Sequence, residues 1–172
     1  MSILAALKAL RTTAKTGAIG KMKTSAKGVE LIHSFEGLRL DAYPDPGTGG
    51  KPWTIGWGST TDEQGKPINP GDKWTRERAD ARFLQHLTSF EAEVNKLLDG
   101  KPATQGQFDA LVSFAYNLGP GNLAKSTLLK RHKSGEYAAA AVEFAKWNRA
   151  AGRVMAGLSR RRAAEAALYR GQ

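Results

Sequence analysis

Between Thr75 and Leu98 the apolar residues Ala79, Phe83, Leu87, Phe90, Val94 and Leu97 recur at intervals of three and four. A stripe of that period lies along one face of an α-helix. With Thr75 as its cap, the pattern predicts a single helix of about six turns. A seam that long needs cover at both ends. The segments before and after the helix are therefore expected to form a small β-containing lobe and a helical lobe joined by it.

The segment before it has a different grammar. Val29, Ile32 and Phe35 mark a helix face opening near Ser25 and stopping at Glu36-Gly37, where glycine favours an end. Ala42-Tyr43-Pro44-Asp45-Pro46-Gly47 reads as a strand running into a turn, and Trp53-Thr54-Ile55-Gly56-Trp57-Gly58 as a returning strand. One more short strand or turn is expected near Ile68-Asn69-Pro70-Gly71. Beyond Leu98 the reading is all helix. Thr104 and Gln107 make a capping box for a helix with Phe108, Leu111, Val112, Ala115 and Leu118 inward, ending at Gly119-Pro120-Gly121. Ser126 and Gly135 bracket a short helix, GEYAAAAVEFAKW makes another, and Ser159 opens a last one through Tyr169.

The remaining composition narrows the chemistry. A chain of 172 residues suits one domain with an appended arm. It has no cysteine, so disulfides, thiolate metal sites and thiol nucleophiles are excluded. His33, His86 and His132 stand far apart and form no metal pair. Zinc hydrolysis is not expected. His33 reads as a satisfied, partly buried histidine.

The net charge of +10 is unevenly placed. Residues 1–30 carry six Lys/Arg against one Glu, residues 31–119 nine against twelve acids, and residues 120–172 eleven against three. Basic ends around a balanced centre suit a polyanionic partner: nucleic acid, an anionic membrane face or an acidic envelope polymer. Residues 1–24 read as a basic amphipathic arm, with Ile3, Leu7, Leu10 and Ala14 on one seam and Lys8, Arg11 and Lys15 on another. It is too short and charged for a membrane span, and Lys8 interrupts the apolar run that a signal peptide needs. It is either an arm or helix accompanying the main domain of residues 25–172, or a contact with an anionic membrane or outer envelope. Gly17, Gly20, Ser25 and Gly28 mark residues 17–28 as a linker.

The chemistry concentrates in FEGLRLDAYPDPGTGGKPWTIGWGST, residues 35–60. Glu36 stands at a helix end, Asp45 nine residues on in a Pro/Gly turn, and Thr54 nine further in the returning strand. Cleaving a glycosidic bond takes an acid to protonate the leaving oxygen and a base or nucleophile on the other face of the sugar. Glu36 among Phe35, Trp53 and Trp57 would be desolvated, which raises a carboxyl pKa and suits the acid. Asp45 in a wetter turn would stay ionised, with Thr54 helping it hold a water.

Taken in order, EGLRLDAYPD, W-T-I-G-W-G, the long helix, QFDALVSFAYNLG and GLSRRRAAE resemble the phage-lysozyme family of endolysins, glycoside hydrolases that cut peptidoglycan and lyse the bacterial host. The resemblance runs from about Ser25 to Tyr169. It implies an α+β, mainly helical, two-lobe lysozyme fold with the sugar chain between the lobes. It also implies Glu36, Asp45 and Thr54 as the catalytic trio, no cofactor, and hydrolysis of the β-1,4 bond between N-acetylmuramic acid and N-acetylglucosamine by a water held by Asp45 and Thr54. The matching positions for substrate are Tyr116, Asn117, Ser126 and Thr127. Each also has a plain structural reading: packing for Tyr116, a helix end for Asn117, an N-cap for Ser126. Arg160-Arg161-Arg162 reads either as a solvated face or, in one member or through Arg153, as a partner for Glu36 or a substrate carboxyl. Two departures stand out: the turn PGTGGKPW is longer than usual, and Ser59 stands where many members have histidine.

A lytic transglycosylase would cut the same bond without water, and a cationic envelope- or membrane-active module would need no catalysis. No specific nucleic acid is expected, since the basic residues carry no recognition motif. The expected setting is a monomer accumulating in the host cytoplasm and reaching the wall through a separately encoded membrane lesion.

Overall fold

The computed structural model describes residues 21–45 and 48–172. The basic segment up to residue 20, and Pro46 and Gly47 of the long turn, lie outside the described residues. Among the described residues the fold is mainly helical with two small antiparallel hairpins, as the α+β reading expects. No helix among them is long and apolar enough to cross a membrane. The chain divides into two compact units, one holding His33–Thr88 and the other holding 21–32 with Ser89–Gln172. The predicted long helix, α2 (Arg76–Leu98), passes from the first unit into the second.

In the first unit β1 (Arg39–Pro44) pairs antiparallel with β2 (Trp53–Gly56). The register places Tyr43 opposite Thr54 and Pro44 opposite Trp53, with an irregularity between Arg39 and Tyr43. Single bridges, Ile55 to Ser59, Thr61 to Pro67 and Asp41 to Lys73, carry the pairing onward into the following loop. Ile55, Trp57, Ile68, Trp74, Ala79 and Phe83 are buried.

The second unit is helical. It begins with α1 (Ala26–Phe35), whose last turn belongs to the first unit. Residues 17–20 of the expected linker lie outside the described residues, while Met22, Thr24 and Ser25 are held by side chains. The Met22 amide donates to Asn95 Oδ1 at 2.8 Å, and Asn95 Nδ2 donates back to the Met22 carbonyl at 2.9 Å. The Thr24 amide donates to Glu91 Oε1 at 2.7 Å, and Ser25 donates its amide and its hydroxyl to the Asp109 carboxylate. The sequence pattern of glycines concealed this, because the partners lie 67 to 84 residues away.

At the centre of this unit is α3 (Gln105–Leu118), opened by the predicted capping box: Thr104 Oγ1 accepts from the Gln107 amide and Gln107 Oε1 from the Thr104 amide. It packs along α7 (Ala156–Arg170). Between them run α4 (Pro120–Lys125), α5 (Thr127–Lys133), α6 (Tyr137–Glu143) and a 3₁₀ turn, Phe144–Lys146.

The all-helical reading of this region needs one correction. Strands β3 (Arg149–Ala150) and β4 (Arg153–Val154) form a second hairpin. Its two central residues, Ala151 and Gly152, both have positive φ, the geometry of a tight hairpin turn. The sequence carries only one glycine there, too weak a sign. The last helix also starts earlier than expected, at Ala156 rather than Ser159.

Helix α3 meets α7 closely at Gly106. A Cβ there would collide with the backbone carbonyl oxygen of Leu168, which has no flexible atoms to yield. Gly106→Ala is therefore expected to destabilise the protein by about 1–3 kcal/mol through overpacking. That predicts a thermal midpoint lower by about 2–4 °C per kcal/mol in a chain of this size. An unchanged midpoint by calorimetry would show that the helices separate freely.

Candidate active site

The three residues singled out for catalysis all fall in the first unit. Glu36 follows the last residue of α1 and is half-buried. Its Oε2 would lie 3.7 Å from a Cβ placed on Gly58, so the carboxylate sits against the loop leaving β2. Thr54 occupies the middle of β2, directly opposite Tyr43. Directly opposed residues share one face of an antiparallel pair. Burial pushes the Tyr43 phenol above its ordinary pKa; among the charges acting on it, Arg39 opposes the rise and Glu36 adds to it. Tyr43 is thus beside Thr54 and within the field of Glu36. Sequence reasoning missed it because a tyrosine in a strand looks like packing.

Asp45 follows the last residue of β1, one step beyond the Pro44–Trp53 pair, and is half-buried. The long turn secures it. Its amide donates to the Gly50 carbonyl at 3.0 Å, its carbonyl accepts from the Gly49 amide at 2.8 Å, and its Oδ1 accepts from the Thr48 amide at 2.9 Å. Thr48 Oγ1 in turn donates to the Lys51 carbonyl at 3.0 Å. The turn thus supplies bonds to both the carboxylate and its backbone. Glu36 and Asp45 consequently lie toward opposite ends of β2, a strand whose four residues span on the order of 10 Å.

Trp57, the residue before Gly58, packs within the first unit. Its indole N–H donates to Asp80 Oδ1 at 2.7 Å, and its ring stacks on His33 with centroids 3.8 Å apart and planes 7° from parallel. Phe83 closes on His33 at 4.3 Å. His33 is therefore held by rings: its buried Nε2 has no hydrogen-bond partner among the described residues. Burial lowers its pKa to about 4, Asp80 opposing and Arg76 assisting the shift. Between that value and the ordinary one near 6.5, the unfolded chain binds a proton that the folded chain refuses. Stability should thus fall as pH drops from about 6.5 to about 4. His33→Phe, which keeps a ring on Trp57, is expected to flatten the midpoint-against-pH curve over that window. Burial lowers His86 and His132 too, so some slope remains. Superimposable curves for the two proteins would refute the role given to His33.

The other predicted residues lie in the helical unit. Tyr116 is half-buried against Phe90, ring centroids 5.1 Å apart. Asn117 accepts at Oδ1 from Arg162 Nη2 at 2.9 Å. Ser126 is buried and caps α5: its hydroxyl accepts from the Leu129 amide and donates to the Leu123 carbonyl. Thr127, the first residue of α5, is exposed. The arginine triplet does not form a solvated face. Arg160 is exposed, but Arg161 and Arg162 are 3% and 1% exposed and converge on the fully buried Glu165. Arg153 is exposed on β4. Among the described residues no cluster of His, Asp and Glu is placed to hold a metal ion.

The model of the phage lysozyme family matches residues 33–165, more than three quarters of the chain. The chain belongs to the phage lysozyme family. Among similar proteins, the endolysin of Bacillus phage PZA is 43% identical over 148 residues, 86% of this chain and 55% of that protein. The endolysin of Acyrthosiphon pisum secondary endosymbiont phage 1 is 39% identical over 152 residues, covering 86% of this chain and 98% of its own length. The solved endolysin of Escherichia coli O157:H7 phage FAHEc1 matches with a TM-score of 0.79 and 40% identity over 87% of this chain and 94% of that one. The chain spans about half the length of the Bacillus phage relatives it matches. Within this family's fold, the hairpin and the end of α1 are what carry Glu36, Asp45 and Thr54.

Proposed function

We propose that this phage lysozyme is an endolysin that hydrolyses the β-1,4 bond between N-acetylmuramic acid and N-acetylglucosamine in bacterial peptidoglycan. The observation that carries the reading is the shared face of the first hairpin. There the Thr54 hydroxyl stands beside Tyr43, Tyr43 feels the Glu36 carboxylate, and Asp45 is tied down one step beyond the ladder. Glu36 acts as the acid toward the leaving oxygen. Asp45 and Thr54 hold the attacking water, for which carboxylates at opposite ends of β2 leave room. Tyr43 shields the Glu36 side of the site from bulk solvent. In the helical unit Tyr116, Asn117 and Thr127 meet sugar. Arg162 holds the Asn117 carbonyl and so turns its NH₂ outward, while Ser126 serves by capping the helix that presents Thr127. No cofactor takes part.

Family membership supports this reading, as do the endolysin names of its relatives. Mass spectrometry of muropeptides released from purified sacculi tests it. Hydrated reducing ends on N-acetylmuramic acid are expected; anhydro ends would instead identify a lytic transglycosylase, and no release would refute both.

The protein acts as a monomer on the wall of the host after accumulating in the host cytoplasm. The basic residues of 1–24 aid it by contact with anionic membrane or envelope. Removing them should slow lysis of whole cells more than digestion of isolated sacculi.

A further inference from the structure

Trp53 and Thr54 are successive residues of β2, so their side chains leave opposite faces of the hairpin. Thr54 shares its face with Tyr43; Trp53 shares the other with Pro44. Beside Trp53 a groove of about 630 Å³ opens, lined by the apolar Pro52, Trp53, Pro67 and Ile68, by the polar Thr60 and Asn69, and by Lys51 and Lys66. The volume is typical of small-ligand sites, about 300–1,000 Å³, and the make-up is the usual one of apolar lining with a few polar groups. Nothing in the proposed chemistry uses this groove.

We propose that it is a second, non-catalytic docking surface for an uncut glycan strand of peptidoglycan. The inference rests on the peptidoglycan reading above. A half-exposed indole flanked by prolines offers a flat apolar platform to the C–H face of a pyranose ring. Two ammonium groups in the lining match a polymer whose carboxylates are sparse, borne on lactyl and peptide branches rather than on every unit. A bilayer surface is too broad to enter a concave groove of this size. A nucleic acid, with a phosphate at each nucleotide, would call for a longer run of cations. Because the groove and Thr54 occupy opposite faces of one hairpin, a strand docked here leaves the Thr54 face open to another segment of the wall. Such a surface would hold the enzyme to the polymer between cuts.

The test uses the full chain bearing Glu36→Gln, which binds without cutting, in cosedimentation with purified sacculi. Adding Trp53→Ala, or separately Lys51→Glu with Lys66→Glu, is expected to raise the apparent dissociation constant about tenfold. The lysines are exposed, so the second variant reports even if Trp53→Ala misfolds. Unchanged sacculus binding in the lysine variant would overturn the inference. An equal loss of binding to single-stranded DNA in that variant would also overturn it, marking the groove as a general anion surface. Muropeptide release by the wild type is measured alongside; its absence would remove the peptidoglycan reading itself, a result distinct from unchanged binding.

Discussion

Glu36→Gln is expected to leave a folded protein that releases muropeptides about 10²–10⁴-fold more slowly than the parent, the range that a positioned general acid contributes. The substitution keeps the shape and hydrogen-bonding capacity of the side chain and removes only the transferable proton. Glu36 is half-buried beyond the end of α1 with Oε2 beside the Gly58 loop, and glutamine fills the same space there. A thermal midpoint within a few degrees of the parent is therefore expected, which separates loss of chemistry from loss of fold. Substrate binding should survive, so the loss should appear in kcat with KM little changed. Near-normal release would move the acid to another residue. Asp45→Asn should also be slow, but less cleanly interpretable, since Oδ1 helps fix the turn through the Thr48 amide.

How much of this was legible beforehand depends on the distance in sequence between the groups involved. The stripe of α2, the capping box of Thr104 with Gln107 and the hairpin bearing Thr54 are local patterns, written within a few residues of one another, and they stand where expected. The Glu36, Asp45 and Thr54 constellation was legible as three residue types in order. What fixes each was not: the turn bonds around Asp45 require the turn's conformation, and the Glu36–Tyr43 neighbourhood requires α1 and β1 to be docked. Trp57 illustrates the same limit, because its partners His33 and Asp80 lie 24 residues before it and 23 after.

The arginine triplet is the sharpest reversal, and it carries the largest stability effect expected of a single substitution. Runs of charge are usually solvated, yet on α7 every turn of 3.6 residues brings Arg161, Arg162 and Glu165 to one inward face. Glu165 Oε1 accepts from Ser113 Oγ at 2.7 Å, Arg162 Nη2 at 3.1 Å and Arg161 Nε at 3.3 Å. Arg162 Nε lies 3.0 Å from Oε2, a close ion pair without hydrogen-bond alignment. The Arg162 guanidinium also lies over the Phe114 ring, 5.0 Å from its centroid. One carboxylate thus serves two buried guanidinium groups. Glu165→Gln preserves volume but removes the negative charge that the two guanidinium groups share, so less of the desolvation spent on them is offset. The expected cost is about 3–5 kcal/mol, read from urea or thermal unfolding. Arg160→Ala, one residue from the pair but exposed, is expected to change stability by less than about 0.5 kcal/mol. Replacing all three buried members together, Arg161→Met, Arg162→Met and Glu165→Leu, should cost less than Glu165→Gln alone, since no charge is then left stranded. The triple variant would still lose the bond from Arg162 to Asn117, so a stable protein with weakened sugar binding is its expected signature. If Glu165→Gln unfolds within about 1 kcal/mol of the parent, the network does not hold α7 to α3, and the remaining packing between them, Gly106 against Leu168 included, must do so.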